Sequence, residues 1–348
     1  MQLRAEEERR ALTCAAFVRG GLTTEAGQWR LLTGVGAGYR RSLNLLGPAG
    51  RRLRRRERGG TRGTLTDDCL EAPLKYPIRS KEEPKMEQVK FIKRDGHIPD
   101  LAYIKTSGDA SKPTVVFAHG FCNHMDMEKP RKIHKYLADK QYTFVRFDFT
   151  DHGWSVFPRK AGLDPNKQKL LDFKQWKKDL ELVLDNLTEG PVIFLGDSMG
   201  AWQGINVALE NGSKFKGICA MSCGIDFLER FNDSFFMDRD KEKMNRGEVI
   251  WSKGPYGEFV GAKKLVRDSR PYELLKKTKI PLTCPFRFVH RLGDVVIPHD
   301  WVLQLVKKLE SKDVEVVLKK GGDHRMVGPD DDEQIFKSID SLLRAVQH

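Results

Sequence analysis

From residue 114 onward the chain alternates short apolar runs with segments of helical periodicity, and this order restricts the possible folds more than any other feature. The apolar runs have the length and composition of strands and lie at 114–121, 143–149, 192–196, 217–222, 286–290 and 314–319. Apolar residues recur every three or four positions in two intervening segments, at Trp176, Leu180, Val183 and Leu187 and at Phe336, Ile339, Leu343 and Val346. This alternation predicts an α/β fold with a mostly parallel central sheet and helices on both faces.

Two segments depart from the alternation. Strand-like sequences on both sides of Asp95-Gly96, a common turn pair, predict an opening β-hairpin. Residues from about 225 to 280 place Phe227, Phe231 and Phe235 at helical spacing and continue with turn-rich sequence. We expect this second segment to be an inserted lid, and its phenylalanines are candidates for an acyl pocket.

The first 85 residues differ in composition from the remainder. Residues 1–74 are rich in Arg and Gly and contain no Lys, whereas Lys is frequent from residue 75 onward. We therefore predict a leader over residues 1–85, disordered or used for targeting, and a folded domain over residues 86–348. Acidic residues at positions 6–8 are atypical of a mitochondrial transit peptide, and Met86 offers an alternative start.

Charge and composition argue against several classes of partner. The formal net charge is +13, but its density is highest in the Arg-rich leader, so we expect no nucleic-acid partner. No apolar run approaches the roughly 18 residues that span a bilayer. The six cysteines form no C-x-x-C pair, and Cys122, His124 and Asp126 lack a fourth ligand at a recognisable spacing. We expect no metal and no cofactor.

The sequence Gly196-Asp197-Ser198-Met199-Gly200 matches the pattern G-x-S-x-G, in which a strand turns sharply into a helix and exposes a serine at the corner. Gly196 and Gly200 suit this turn because a Cβ at either position would meet the neighbouring strand or helix. An apolar strand precedes the pattern and a helix-compatible segment follows it. Ser198 is therefore the candidate nucleophile, and a plain strand-to-helix turn is the alternative.

A serine hydroxyl needs a neighbouring base to become an effective nucleophile. His324 is the candidate because it follows the last predicted strand and precedes the last predicted helix. Three other histidines are weaker candidates. His119 lies where a role in holding the loop is expected, His290 lies inside a predicted strand, and His299 begins a predicted helix.

The base in turn needs a carboxylate that orients its ring and stabilises its protonated form. Asp294 follows the strand at 286–290 and gives the chain order Ser, Asp, His of this architecture. Asp226, which follows the preceding strand, is the competing candidate. The developing negative charge on the substrate oxygen needs N–H donors, and we expect them from the backbone of Phe121 and Met199.

Several motifs resemble the α/β-hydrolase superfamily over roughly residues 88–346. Within it the chain is similar to the mitochondrial acyl-protein thioesterases, also described as acyl-glucuronide esterases, in the sequences HGF, RFDFTDHGWS, GDSMGAW, CPFRFVHRLGDVVIP and DHRM. The resemblance implies a catalytic triad at Ser198, Asp294 and His324, a mitochondrial location with the cytoplasm as alternative, and acylated proteins or small esters as substrates.

The chain departs from that family beside two of these motifs. Asp197 stands where a small residue is usual before the serine, and Gly200-Ala201 stands where two glycines are usual. Arg291 replaces a glycine common after the histidine of the strand. An acidic residue beside the nucleophile disfavours anionic substrates, and the departures are consistent with a divergent paralogue.

Three functions are therefore in competition. A serine hydrolase acting on acyl thioesters through an acyl-enzyme is the leading prediction. A carboxylesterase for small or glucuronidated esters would use the same residues, and a noncatalytic binding protein on a hydrolase scaffold is the alternative from another class.

Overall fold

The computed structural model describes residues 89–157, 169–254 and 257–347, so the predicted leader lies outside the described residues. The strands in this part of the chain are β1 (Lys90–Ile92), β2 (Leu101–Thr106), β3 (Val115–Ala118), β4 (Phe144–Phe147), β5 (Val192–Asp197), β6 (Phe215–Met221), β7 (Ile250–Gly254), β8 (Gly257–Gly261), β9 (Phe286–Arg291) and β10 (Val314–Lys319). The α-helices are α1 (Glu128–Asp139), α2 (Phe173–Leu187), α3 (Met199–Glu210), α4 (Phe227–Phe235), α5 (Asp238–Asn245), α6 (Lys263–Ser269), α7 (His299–Lys308) and α8 (Pro329–Ala345).

Eight strands form one sheet in the order β1-β2-β4-β3-β5-β6-β9-β10. β2 is antiparallel to both β1 and β4, and the six strands from β4 to β10 in this order are parallel to one another. The predicted opening hairpin and the mostly parallel sheet are thus confirmed. Because parallel strands share a direction, the loops that follow β3, β5, β6, β9 and β10 emerge at one edge of the sheet, where ligands of such folds bind.

Helices cover both faces of this sheet, and each covered face has its own apolar layer. One layer includes the buried faces of α2, α3 and α7, and the other includes the buried faces of α1 and α8. All four residues of the predicted helical pattern from Trp176 to Leu187 are buried. Full burial of one Leu or Ile side chain contributes about 2 kcal/mol, so these layers hold the strand ends rigidly.

The central strand β5 is apolar from Val192 to Leu195 because both of its faces are covered. Successive side chains of a strand point to opposite faces. Val192 and Phe194 belong to the layer under α2 and α3, whereas Ile193 and Leu195 belong to the layer under α1 and α8. The alternation places Asp197, the last residue of β5, on the α1 and α8 face.

The predicted lid segment, residues 225–280, forms a separate group of elements between β6 and β9. It consists of α4, α5, the β7–β8 hairpin, α6 and a short 3₁₀ turn at Arg270–Tyr272. The antiparallel hairpin pairs Ile250 with Gly261 and was not predicted, since its sequence carries strong turn signals. Across the described ranges, none of the helices combines the length and apolarity needed to span a bilayer.

Candidate active site

Ser198 occupies the sharp corner between β5 and α3. Its backbone has φ 50° and ψ −117°, a conformation that L-residues rarely adopt and that the surrounding contacts must maintain. Its N–H donates to the carbonyl of Met221 on the neighbouring strand. A Cβ at Gly200 would overlap the carbonyl of Ala118. The predicted turn is therefore present, and its glycine is required by the close approach of β3.

The structure brings Ser198, His324 and Asp294 into one hydrogen-bonded chain. Nε2 of His324 lies 2.9 Å from Oγ of Ser198, and Nδ1 lies 2.7 Å from Oδ2 of Asp294. The Asp294 side chain is fully buried, and 15% of the His324 side chain is exposed. A ring whose Nδ1–H donates to the carboxylate presents an unprotonated Nε2 to the hydroxyl, which is the tautomer that can accept its proton.

Asp294 is held by its own loop. Oδ1 accepts hydrogen bonds from the backbone N–H groups of Val296 and Ile297, each at 2.9 Å. Nε2 of His290 lies 3.3 Å from Oδ2. Burial by itself raises the pKa of Asp294, but the hydrogen bonds from His290 and His324 and the backbone donor outweigh it and hold the pKa below its ordinary value. The carboxyl is thus ionised at neutral pH.

The two predicted backbone donors flank the serine. A Cβ built on Gly120, next to Phe121, would lie 3.1 Å from Cβ of Ser198, so this loop passes close to the serine side chain. Met199 is the first residue of α3, where helix N–H groups lack a partner within the helix. Within the described ranges neither Phe121 N–H nor Met199 N–H donates a hydrogen bond. Both are available to an oxygen bound beside Ser198.

Two buried histidines support the loop that carries Phe121. Cys122 N–H donates to Nε2 of His152, whose Nδ1 bonds the carbonyl of Thr150. Burial lowers the pKa of His152 to about 3, so the ring is neutral and Nε2 remains an acceptor. His119 accepts from Phe149 N–H, in agreement with the loop-holding role predicted for it. This role of His152 was not predicted from the sequence, although the residue lies in the run RFDFTDHGWS.

The competing residues lie elsewhere. Asp226 accepts hydrogen bonds from the N–H groups of Leu274 and Leu275 and so connects the start of α4 to the end of the lid segment. His299 begins α7, as predicted. His290 is buried in β9, and its Nε2 lies near Oδ2 of Asp294, the same oxygen that His324 contacts.

The three phenylalanines proposed for an acyl pocket lie beside the Phe121 loop. The rings of Phe227 and Phe231 contact that of Phe121 with centroids 5.6 and 5.9 Å away, and Phe235 stacks on Phe231 at 4.8 Å. Phe227 and Phe231 are buried, with 2% and 9% of their surface exposed. The cluster forms an apolar wall next to the two N–H donors.

Two of the departures from the family pattern, Asp197 and Arg291, form ion pairs. Asp197 accepts a hydrogen bond from Lys129 of α1, and Arg291 bonds Asp331 of α8. Neither partner was identified from the sequence. Within the ranges described above, no three His, Cys, Asp or Glu side chains are grouped as a metal site would require.

The strand order and the sharp turn at Ser198 define the protein class: the chain has the α/β-hydrolase fold. A family described as serine aminopeptidase, S33, matches residues 109–236. The chain is thus related to α/β hydrolases and is similar to mitochondrial palmitoyl-protein thioesterase ABHD10. The Mus musculus protein is 29% identical over 255 residues, which cover 73% of this chain and 82% of the relative.

Solved structures show the same fold. Mouse α/β-hydrolase domain-containing protein 10 superposes with a TM-score of 0.62 at 25% identity, covering 74% of this chain and 98% of that one. A putative hydrolase from Agrobacterium vitis superposes with a TM-score of 0.64 at 20% identity, covering 73% of this chain and 97% of that one. The second similarity bears on the fold alone.

Proposed function

We propose that this protein is a serine hydrolase that cleaves acyl thioesters through an acyl-enzyme intermediate, with fatty-acylated proteins as its substrates. The observation that carries the proposal is the hydrogen-bonded chain from Ser198 through His324 to Asp294. Two unpartnered N–H groups beside the hydroxyl supply the second requirement of acyl transfer, which is stabilisation of an oxyanion.

In the first half-reaction, Oγ of Ser198 attacks the carbonyl carbon of the substrate while Nε2 of His324 takes the hydroxyl proton. The carbonyl oxygen becomes an oxyanion and accepts hydrogen bonds from the N–H groups of Phe121 and Met199. Asp294, ionised because of its lowered pKa, stabilises the imidazolium. The C–S bond then breaks, the imidazolium gives its proton to the departing sulfur, and the acyl group remains on Ser198.

In the second half-reaction, a water molecule takes the place of the thiol. His324 accepts a proton from this water as its oxygen attacks the acyl carbon, and the second tetrahedral intermediate uses the same two donors. The bond to Oγ breaks, Ser198 regains its proton from the imidazolium, and a carboxylic acid is released.

The apolar wall of Phe227, Phe231 and Phe235 supports a fatty acyl group as the substrate. This wall lies against the ring of Phe121. Because the backbone N–H of Phe121 donates to the oxyanion, an acyl chain attached to the reacting carbonyl would run along the wall. The relatives named palmitoyl-protein thioesterases, 26–29% identical to this chain, support the same substrate class. Their names also place them in mitochondria, and we propose that location here.

A carboxylesterase for small or glucuronidated esters is the second candidate. The observation that favours it is the packing of the same rings: Phe227 and Phe231 are almost fully buried and contact each other at 5.8 Å. Such closely packed rings favour a short acyl group over a long one. A noncatalytic role is disfavoured because the serine, histidine and aspartate all remain in place.

Labelling with a fluorophosphonate tests the reaction, and a substrate panel tests the class. The wild-type protein should be labelled at Ser198, and Ser198→Ala should lose labelling and reduce turnover by about a thousandfold or more while unfolding at the same temperature. Palmitoyl and acetyl thioesters should then be compared with the matching oxygen esters. A preference of about a thousandfold for small oxygen esters would reject the thioesterase assignment and retain the hydrolase.

A further inference from the structure

A buried ion pair lies one residue before Ser198. Nζ of Lys129 lies 2.6 Å from Oδ1 of Asp197, and the two side chains are 6% and 12% exposed. In the part of the chain that the structure describes, neither side chain makes another hydrogen bond. A carboxylate this deeply buried beside a reacting centre requires a partner, since an unpaired buried charge is costly.

The two elements that carry the pair bring it together through their periodicity. On β5, alternate side chains point to the same face of the sheet. Asp197 therefore lies in line with Ile193 and Leu195, whose side chains face α1 and α8. On α1, Lys129 precedes Ile133 and Leu137 at intervals of four and so shares their buried face. Two rows of apolar side chains, one on α1 and one on β5, therefore pack against each other, and Lys129 and Asp197 meet at the end of these rows.

His324 approaches Ser198 from this same side of the sheet. Met326, two residues after His324, is fully buried in the apolar layer of Ile133, Leu137, Ile193 and Leu195. Several other charged or titratable groups of α1, α8 and the adjoining loops have partners of their own, among them Lys132 with Asp332, Arg291 with Asp331, Arg146 with Asp126, His134 with Thr106, His119 with Asp148, and His324 with Asp294. The charge of Asp197 is thus balanced by Lys129.

We propose that Lys129 is a positioning residue for the reaction at Ser198, which cancels the charge of Asp197 and leaves no net charge beside the imidazole and the oxyanion. This inference rests on the proposed function. Without Lys129, the carboxylate would stabilise the imidazolium, hold the base in its protonated form to higher pH and oppose the oxyanion. Without Asp197, the ammonium would have the opposite effect on both groups.

The proposal can be tested because removal of Lys129 and removal of Asp197 should shift the pH dependence of the reaction in opposite directions. The rate at which a fluorophosphonate labels Ser198 should be measured from pH 5 to 9 in wild type, Lys129→Met, Asp197→Asn and the double variant. Lys129→Met should move the acid-side midpoint of the labelling rate upward by about one pH unit and reduce the rate at pH 8 about tenfold. Asp197→Asn should move the midpoint downward by about one unit, and the double variant should return it to within about 0.3 unit of wild type.

Lys132→Met is the matched control, because Lys132 lies on the same helix and pairs with Asp332 of α8 but is 38% exposed. It should leave the midpoint unchanged. Thermal unfolding identifies any variant that fails to fold. If Lys129→Met fails to fold, the downward shift of the midpoint in Asp197→Asn tests the proposal by itself. Folded single variants that shift the midpoint in the same direction, or by less than about 0.3 unit, would overturn the role of Lys129. Absence of labelling in wild type would instead reject the proposed function.

Discussion

Nε2 of His324 lies 2.9 Å from Oγ of Ser198, although 126 positions separate the two residues in the chain. The contact follows from the direction of the strands. Ser198 directly follows β5, and His324 lies in the loop after β10; both strands belong to the parallel part of the sheet. Asp294 follows β9, the neighbour of β10, and reaches the same edge. Each of the three residues needs only a short loop to enter the site.

The assignment of the acid can be tested with two matched substitutions. Asp294→Asn removes the acceptor that selects the Nδ1–H tautomer of His324, and we expect the catalytic rate to fall by about four orders of magnitude. Asp226→Asn affects backbone donors of the lid segment, at Leu274 and Leu275, and should leave the rate within about threefold of wild type. Steady-state kinetics on one thioester compare the two. Retention of activity in Asp294→Asn together with its loss in Asp226→Asn would reverse the assignment.

The aromatic wall should control acyl length. Phe231 is 9% exposed and contacts both Phe121 and Phe235, so Phe231→Ala opens space beside the reacting carbonyl. We expect kcat/KM for a palmitoyl thioester to rise relative to an acetyl thioester, with a loss of about 3 kcal/mol in the free energy of unfolding. Phe215→Ala, at the amino end of β6, should destabilise the protein without changing the ratio. An unchanged ratio in Phe231→Ala would exclude this ring from the acyl pocket.

The fold and the proximity of Ser198, Asp294 and His324 were predictable because each has a local signal in the sequence. Strands covered on both faces are continuously apolar, and G-x-S-x-G combines two steric requirements with one strained residue. The positions of Asp294 and His324 follow from chain order, since the residues after successive parallel strands meet at one edge. The prediction of the opening hairpin depended on the same kind of local signal, the Asp95-Gly96 turn.

The supporting contacts were not predictable because each depends on how two distant elements align. Lys129 is an ordinary helix residue until α1 is packed against β5, and its helical spacing with Ile133 and Leu137 becomes informative only when the facing row is known. His152 likewise gains its role from the path of the Phe121 loop. The β7–β8 hairpin was missed because its two strands are only five residues long each and contain Gly, Lys and Glu, which are uncommon in strands, so that only the turn signal between them was evident.

Arg291, which replaces a family glycine, should position the loop of His324. Its guanidinium bonds Asp331 on α8 and the carbonyl of Lys320, and its side chain packs on Gly322, two residues before His324. Arg291→Gly would leave Asp331 buried without its partner, at a cost of about 3 kcal/mol in the free energy of unfolding, and we expect kcat/KM to fall about tenfold.

Urea unfolding and steady-state kinetics measure the two effects of Arg291→Gly. The double variant Arg291→Gly and Asp331→Asn should recover part of the stability, because no charge is then left unpaired, without recovering the rate. A single variant with wild-type stability and rate would show that the glycine and the arginine are interchangeable at this position.

Asp148 should make stability depend on pH. Its buried carboxyl accepts the N–H groups of Met125 and Trp154 and so anchors the loop that carries Phe121. Burial raises its pKa to about 7 against the opposing effect of these hydrogen bonds. In the unfolded chain the group titrates near its ordinary value of 3.8, so between about pH 4 and 7 the folded protein holds a proton that the unfolded chain releases.

The stability contribution of this carboxyl is therefore full below pH 4 and is lost as the pH rises toward 7. From pH 5 to pH 8, the difference in unfolding free energy between wild type and Asp148→Asn should change by about 3 kcal/mol, with wild type losing stability relative to the variant. Urea denaturation at both pH values measures this difference. Asp185→Asn, at an exposed position on α2, is the control and should show the same difference from wild type at either pH. A constant difference for Asp148→Asn as well would mean that Asp148 is ionised in the folded protein throughout this range.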